Sequence, residues 1–315
     1  MKKLLVSLFV LMMLTGCSSG GDGKYHVGVI QLVQHDALDA ATQGFKDTLE
    51  KEFGENVVVD VENASGESAN CNTIATSFVA DNYDLILGNA TTALQAAAHA
   101  TTTIPVLGTS VTEYGIALDK DIVNHVVGGN VSGTSDLAPL EEQAKMVVDL
   151  VPSANTVGLI FCKSEPNSLF QINEVDIYLR EMGKETLIMT FSDSNELQSV
   201  MESLCENIDV LYIPTDNTCA TNGTNIASAA EKYDIPIFAG EKDICKKTNA
   251  VATLSIDYYN LGVVTGEMAI SILKGEADIS KMEIKYDTNP IRMYNKEVAE
   301  HFNITIPDGY VAIED

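Results

Sequence analysis

The sequence predicts an α/β protein of two Rossmann-like lobes, each a parallel sheet flanked by helices, joined by three chain segments that form a hinge. Three observations carry this prediction. One is an internal duplication at an offset of about 130 residues: Val27-Gly28-Val29-Ile30 answers to Val157-Gly158-Leu159-Ile160, Tyr83-Asp84-Leu85-Ile86-Leu87 to Ile208-Asp209-Val210-Leu211-Tyr212, and Ile104-Pro105-Val106-Leu107-Gly108 to Ile235-Pro236-Ile237-Phe238-Ala239. Another is that the apolar runs are short, end in polar Gly- or Ser-containing loops and alternate with helix-length segments, the pattern of buried parallel strands joined by crossover helices. The last is that the chain, having completed both copies, returns to the first and then to the second. Two such lobes enclose a cleft, and the loops after the matched strands face each other across it, because ligands of open parallel sheets bind beyond the carboxyl ends of the strands.

The elements follow in order. In the first lobe a strand runs from about Lys24 to Gln31, a helix from Asp36 to Glu52, a strand from Val57 to Val61, a helix from Asn70 to Asp81 and a strand from Asp84 to Gly88. The next helix begins near Thr91, a strand follows at Pro105–Gly108, and Val126-Val127-Gly128-Gly129-Asn130 reads as a strand leaving the lobe. The second lobe repeats this scheme from Leu140 to Ala252. Ser255-Ile256-Asp257 then crosses back, a helix from Tyr259 to Lys274 packs on the first lobe, Ile284-Lys285-Tyr286 crosses again and the tail ends on the second. The expected division is residues 24–131 with 258–285 in one lobe and 132–257 with 286–315 in the other.

Ahead of the lobes, Lys2 and Lys3 precede an apolar run from Leu4 to Leu14, closed by Leu14-Thr15-Gly16-Cys17. This reads as a secretory signal over residues 1–16 ending in a lipoprotein cleavage box, with the lipid carried as a thioether on Cys17. The run is shorter than the ~20 apolar residues that span a bilayer. Residues 17–23, rich in Ser and Gly, read as a lipidated tether. The expected location is outside the cytoplasm, held to the cell membrane by the N-terminal lipid.

Composition narrows the chemistry. The chain has 315 residues, 45% of them hydrophobic, which suffices for two cores. A formal charge of −26 argues against nucleic acid and anionic lipid surfaces as partners. Besides Cys17, the cysteines are Cys71, Cys162, Cys205, Cys219 and Cys245, none at metal-ligand spacing, and the histidines form no cluster, so buried structural thiols and no metal are expected. No Gly-x-Gly-x-x-Gly follows the first strand, and there is no phosphate loop, no Gly-x-Ser-x-Gly elbow and no His-Glu-x-x-His helix. A cofactor-free binding protein, not an enzyme, is the expectation.

Four stretches carry a family resemblance: Gln31-Leu32-Val33-Gln34-His35-Asp36-Ala37-Leu38-Asp39, Asn130-Val131-Ser132-Gly133-Thr134-Ser135-Asp136, Ser164-Glu165-Pro166-Asn167-Ser168 and Pro214-Thr215-Asp216-Asn217-Thr218. They span nearly the whole mature chain, and with the order of elements they resemble the type I periplasmic binding proteins, in the branch of ABC transporter substrate-binding lipoproteins that includes the tryptophan/tyrosine-binding component. The resemblance implies a monomeric receptor that closes over a small solute, an aromatic or other apolar amino acid, and passes it to an ABC permease with its ATPase. A sensory module reporting to a membrane receptor, or a receptor for a sugar or nucleoside, would use the same architecture.

Residue chemistry nominates the cleft. Asn89-Ala90-Thr91-Thr92 follows an apolar strand and opens a helix, so its hydroxyls and N–H groups can seat a carboxylate. Ser164, Glu165, Asn167 and Ser168 occupy the matching position after the first strand of the second lobe; a helix cap with Pro166 in the first turn explains them equally. Thr215, Asp216 and Asn217 stand opposite Asn89–Thr92 by pseudo-symmetry, Asp216 being placed to pair with an ammonium group or to cap a helix. Gln31 and His35 follow the first strand and Thr112 the Pro105 strand, His35 as a hydrogen-bonding or stacking wall; Asp257 sits on a crossing, where it touches ligand or ties the hinge. The chain has no Trp, so any stacking comes from Tyr, Phe or His.

Overall fold

A computed structural model describes residues 23–287 and 289–314. The signal segment, Cys17 and all of the tether except Gly23 lie outside the described residues. The first lobe holds β1 (Tyr25–Gln31), α1 (Asp36–Phe53), β2 (Val57–Asn63), α2 (Ser68–Ala80), β3 (Leu85–Asn89), α3 (Thr91–Ala100), β4 (Val106–Val111), α4 (Tyr114–Leu118) and β5 (Val131–Ser135). The second holds α5 (Leu140–Leu150), β6 (Thr156–Cys162), α6 (Pro166–Glu181), β7 (Glu185–Phe191), α7 (Ser194–Cys205), β8 (Val210–Ile213), α8 (Asn217–Thr221), α9 (Gly223–Lys232), β9 (Ile237–Ala239), α10 (Lys242–Lys247) and β10 (Ala252–Ser255). The chain returns to the first lobe as α11 (Tyr258–Leu273) and β11 (Lys285–Tyr286), then finishes on the second as β12 (Ile291–Tyr294), α12 (Lys296–His301) and β13 (Val311–Ala312).

The duplication is literal in the topology. The first sheet runs β11-β5-β4-β3-β1-β2 and the second β13-β12-β10-β9-β8-β6-β7, so each contains the same five-strand order with later strands added at one edge. All pairings are parallel except β10 with β12. The repeated Val-Gly has a packing cause. A Cβ on Gly28 would lie 2.5 Å from the Phe78 ring, and one on Gly158 would lie 2.5 Å from Ile208. At both copies the missing side chain lets an apolar neighbour sit directly on the sheet.

One expected strand is displaced. Val126–Asn130 is a loop, because Gly128 and Gly129 take φ values of 79° and 66°, outside strand geometry. The strand is β5, Val131–Ser135, pairing with β4 in the first sheet, so the passage to the second lobe begins at Asp136. Its sequence hides it: Thr134 packs hydroxyl to hydroxyl against Thr109 (3.2 Å) and Thr265 (2.8 Å) where an apolar side chain was expected. Ile284-Lys285-Tyr286 likewise ends in an edge strand of the first sheet, with Lys285 and Tyr286 paired to Thr134 and Ser135, and the third crossing follows it. Ala37, Ala41, Ala138, Ile256, Tyr258 and Leu261 form an apolar cluster where the crossings meet, and the Asp257 amide donates to Asp287 at 3.3 Å, linking two of the three crossings.

Candidate functional site

The carboxyl ends of the two sheets face one another, and the space between holds two connected features. An inner cavity of about 20 Å³ is lined from the first lobe and hinge by His35, Ala37, Leu38, Ser110, Thr112, Asp136 and Tyr258, and from the second lobe by Asn167, Thr215, Asp216, Asn217, Ala220, Glu241 and Ile244. An outer groove, lined among others by Thr92, Ser164, Glu165, Asn217 and Thr218, opens to solvent. Asn217 borders both. The cleft is drawn together by direct contacts: His35 Nε2 lies 3.1 Å from Asn217 Oδ1, and Lys247 Nζ lies 3.6 Å from Asp36.

Backbone irregularity aims the first-lobe groups. β4 shifts register between Gly108 and Val111, and within that bulge Ser110 takes φ of 53°. A bulge re-aims a side chain at the end of a strand, and a left-handed non-glycine residue costs on the order of 1–3 kcal/mol, which persists where surroundings enforce it. Ser110 Oγ is buried with no hydrogen-bond partner, and so is His35 Nδ1. Both residues line the cavity.

The second lobe contributes carboxylates through its caps. Asp216 ends the loop after β8: its Oδ1 accepts from the Cys219 amide at 2.7 Å, capping α8, and its Oδ2 accepts from the Cys162 amide at 2.8 Å. Glu241 accepts from the Asp243 and Ile244 amides and caps α10. Asp136, from the hinge, accepts from Thr112 Oγ1 at 3.0 Å and Tyr258 Oη at 2.9 Å. Burial is the main cause of an upward pKa shift in all three. Asp216 rises to about 8, with the nearby Glu165 adding to burial, and Glu241 rises to about 8, with Asp243 adding to it. Asp136 moves up through burial, against the hydrogen bonds from Tyr258 and Thr112 that favour its charged form. Burial lowers the pKa of His35. No Lys or Arg lines the cavity, and among the described residues no group of His, Cys, Asp or Glu is arranged to hold a metal ion.

The nominated residues separate into groups. His35, Thr112, Asn167, Thr215, Asp216 and Asn217 meet at the inner cavity, while Thr92, Ser164 and Glu165 border the outer groove. Glu165 is occupied with α8: its oxygens accept from the Asn217 amide, the Thr218 amide and the Thr218 hydroxyl. Gln31 donates to Val33 O and Asp39 and accepts from Thr42, shaping the β1–α1 loop. Asn89 donates to Leu38 O and Thr42. Thr91 is buried at the start of α3, Ser168 turns to Thr215 O, and Asp257 caps α11 through the Asn260 amide. Ser110, Asp136 and Glu241 line the cavity without a sequence-based expectation. Asp136 closes the Asn130–Asp136 stretch, so its acidic residue beside a crossing was the available signal; Ser110 lies inside a strand, where no sequence signal marks the bulge.

Residues 26–313 match the family model described as ABC transporter substrate binding protein. Over 284 residues the chain is 35% identical to a Tyrosine-binding protein of Clostridioides difficile (strain R20291), covering 84% of this chain and 81% of that one. Among solved structures it is similar to an ABC domain in complex with L-Trp from Streptococcus pneumonia, with a TM-score of 0.87 and 30% identity over 92% of this chain and 100% of that chain. It is also similar to the ligand-free, open structure of a substrate-binding protein with adhesive properties from Clostridium difficile, at 33% identity and the same coverage, but with a TM-score of 0.69. In this chain the contacts of His35 with Asn217 and of Asp36 with Lys247 join the two lobes directly across the cleft.

Proposed function

The chain belongs to the ABC transporter substrate-binding proteins, and from that premise we propose that it binds an aromatic α-amino acid, tyrosine or tryptophan, in the closed cavity between its lobes. It delivers that ligand to the permease of an importer while tethered outside the cytoplasmic membrane by a lipid on Cys17. The observation that carries this reading is the unbalanced cavity: Asp136, Asp216 and Glu241 face it with no basic side chain, beside a partnerless Ser110 Oγ. An α-amino acid supplies an ammonium group for the carboxylates and a carboxylate to accept from Ser110. The tyrosine- and tryptophan-binding relatives support the aromatic side chain.

The mechanism is closure. Groups from both lobes contact the ligand together only in the closed form, so the ligand stabilises that form by its difference in affinity between the two arrangements. Titration calorimetry of the mature domain against tyrosine, tryptophan, phenylalanine, leucine, galactose and uridine tests the reading. Binding of tyrosine or tryptophan is expected, with thermal stabilisation of roughly 2.7 kcal/mol at a hundredfold excess over Kd. Heat from galactose or uridine, with none from the amino acids, would overturn the ligand assignment. Loss of tyrosine uptake on deletion of the gene, and release of a Cys17→Ala variant from membranes, check delivery and anchoring.

A further inference from the structure

His35 Nδ1 is the more informative of the two partnerless atoms in the cavity, because the groups behind the ring determine what Nδ1 can do. Asn217 Nδ2 lies 2.7 Å from Glu165 Oε2, whose carboxylate also accepts from the Asn217 amide at 2.9 Å. The other Glu165 oxygen accepts from the Thr218 amide and hydroxyl at 2.8 and 2.7 Å. A carboxylate ringed by donors can receive only the NH₂ side of the Asn217 amide, so the amide orientation is fixed and Oδ1 turns across the cleft to His35 Nε2 at 3.1 Å. An amide oxygen has no proton to give. Nε2 must therefore carry the hydrogen, or two lone pairs would face each other.

Burial of the ring, with a smaller contribution from the Lys247 charge, favours the neutral imidazole against the opposing pull of the Asn217 hydrogen bond, Glu165 and Asp243. A neutral ring protonated at Nε2 has a bare lone pair at Nδ1. That atom is buried, has no partner, and belongs to a cavity-lining residue. An unmet acceptor of this kind disfavours the empty closed form and rewards a ligand that brings a donor.

We propose that Glu165, Asn217 and His35 form a relay across the cleft that locks His35 in its Nε2–H tautomer, so that Nδ1 accepts a hydrogen bond from an N–H or O–H of the bound amino acid. The relay ties closure to recognition, because Asn217 and Glu165 belong to the second lobe and His35 to the first. His35 touches the ligand; Asn217 and Glu165 are positioning residues. This deepens the amino-acid reading above and rests on it.

Two measurements test it. In protein labelled with ¹⁵N-histidine and saturated with tyrosine, the His35 ring is expected to show a protonated Nε2 and an unprotonated, hydrogen-bonded Nδ1. A proton on Nδ1 in the complex would overturn the proposal. In a double-mutant cycle, His35→Ala and Glu165→Gln are each expected to weaken tyrosine binding about tenfold, and Glu165→Gln to cost little further in the His35→Ala background, because coupled residues are not additive. Fully additive losses would show that Glu165 acts only through the cap of α8, and would also overturn it. If the unmutated protein binds neither tyrosine nor tryptophan, the ligand assignment fails, while the ¹⁵N signals of the unliganded, closed or open protein still report the tautomer.

Discussion

Ligand affinity and unliganded stability should respond to pH in opposite directions, and Asp216 shows why. Burial, and then the charge of Glu165, push its pKa from 3.8 to about 8. At pH 7 such a carboxyl is ionised in roughly one molecule in ten, so presenting it as a carboxylate to an ammonium group costs about tenfold in affinity, and more at pH 6. An ammonium beside it lowers its pKa, so binding expels a proton. Affinity should therefore rise about tenfold per pH unit from pH 6 to 8 and level off above. Glu241, also pushed up to about 8, titrates in the same window and can bring the slope toward a hundredfold per unit. For the unliganded protein the sign reverses. A carboxyl whose folded pKa is raised contributes stability that is fully present below its unfolded value and is lost as pH rises through about 8, because the folded chain holds a proton that the unfolded chain has released. Calorimetry at pH 6, 7 and 8, in two buffers of different ionisation enthalpy, measures both Kd and the protons released. A Kd that stays flat across this range with no proton release would refute the reasoning, as would an Asp216→Asn variant that keeps the full pH slope.

Three further predictions follow from geometry. Ser110→Ala removes a buried hydroxyl that has no partner, so the unliganded protein should lose no stability beyond the strain already at that φ, while tyrosine binding weakens about tenfold; calorimetry and thermal melts on one sample separate the two. Gly262→Ala would place a Cβ 2.0 Å from Ala41 O, where α11 crosses α1, and overpacking of this kind costs about 1–3 kcal/mol, read as a lower denaturant midpoint. Lys247→Ala breaks the 3.6 Å pair with Asp36, whose side chains are 32% and 67% exposed. A pair so exposed contributes at most ~1 kcal/mol, so the ligand off-rate should rise less than tenfold and the effect should fade in high salt.

The fold was legible because apolar runs decide it. The buried strands of the five-strand repeat announce themselves by Val, Ile and Leu, except β10, Ala252-Thr253-Leu254-Ser255, and β5, whose Ser132-Gly133-Thr134 core is satisfied by hydroxyl pairs and by the Tyr114 hydroxyl donating to Thr134 O. Hydrophobic periodicity has no means of seeing such a strand. The site was legible only where a general rule applied: loops after parallel strands yielded His35, Asn167 and Asp216 at the cavity. The same rule also selected Gln31 and Asn89, which spend their hydrogen bonds inside the first lobe, because loop position does not say which way a side chain turns. Ser110 depends on a bulge, and Tyr258 and Asp136 depend on how the crossings meet. These are properties of the assembled lobes, absent from any local stretch of sequence.

The cavity also explains why closure should wait for ligand. Asp136 belongs to the first lobe and hinge, whereas Asp216 and Glu241 are held by the caps of α8 and α10 on the second. Capping fixes those two carboxyls in place by backbone N–H groups, so they cannot rotate away when the lobes meet. Closing the empty cleft brings all three out of water with no basic side chain among them, and burying unpaired carboxylates is costly enough that they take up protons instead. A ligand ammonium group reverses that cost in the closed form alone, since only there do both lobes surround it. On the proposed reading the helix caps serve two ends: they satisfy the N-termini of α8 and α10, and they hold the acidic groups whose mutual burial opposes closure until the ligand ammonium arrives.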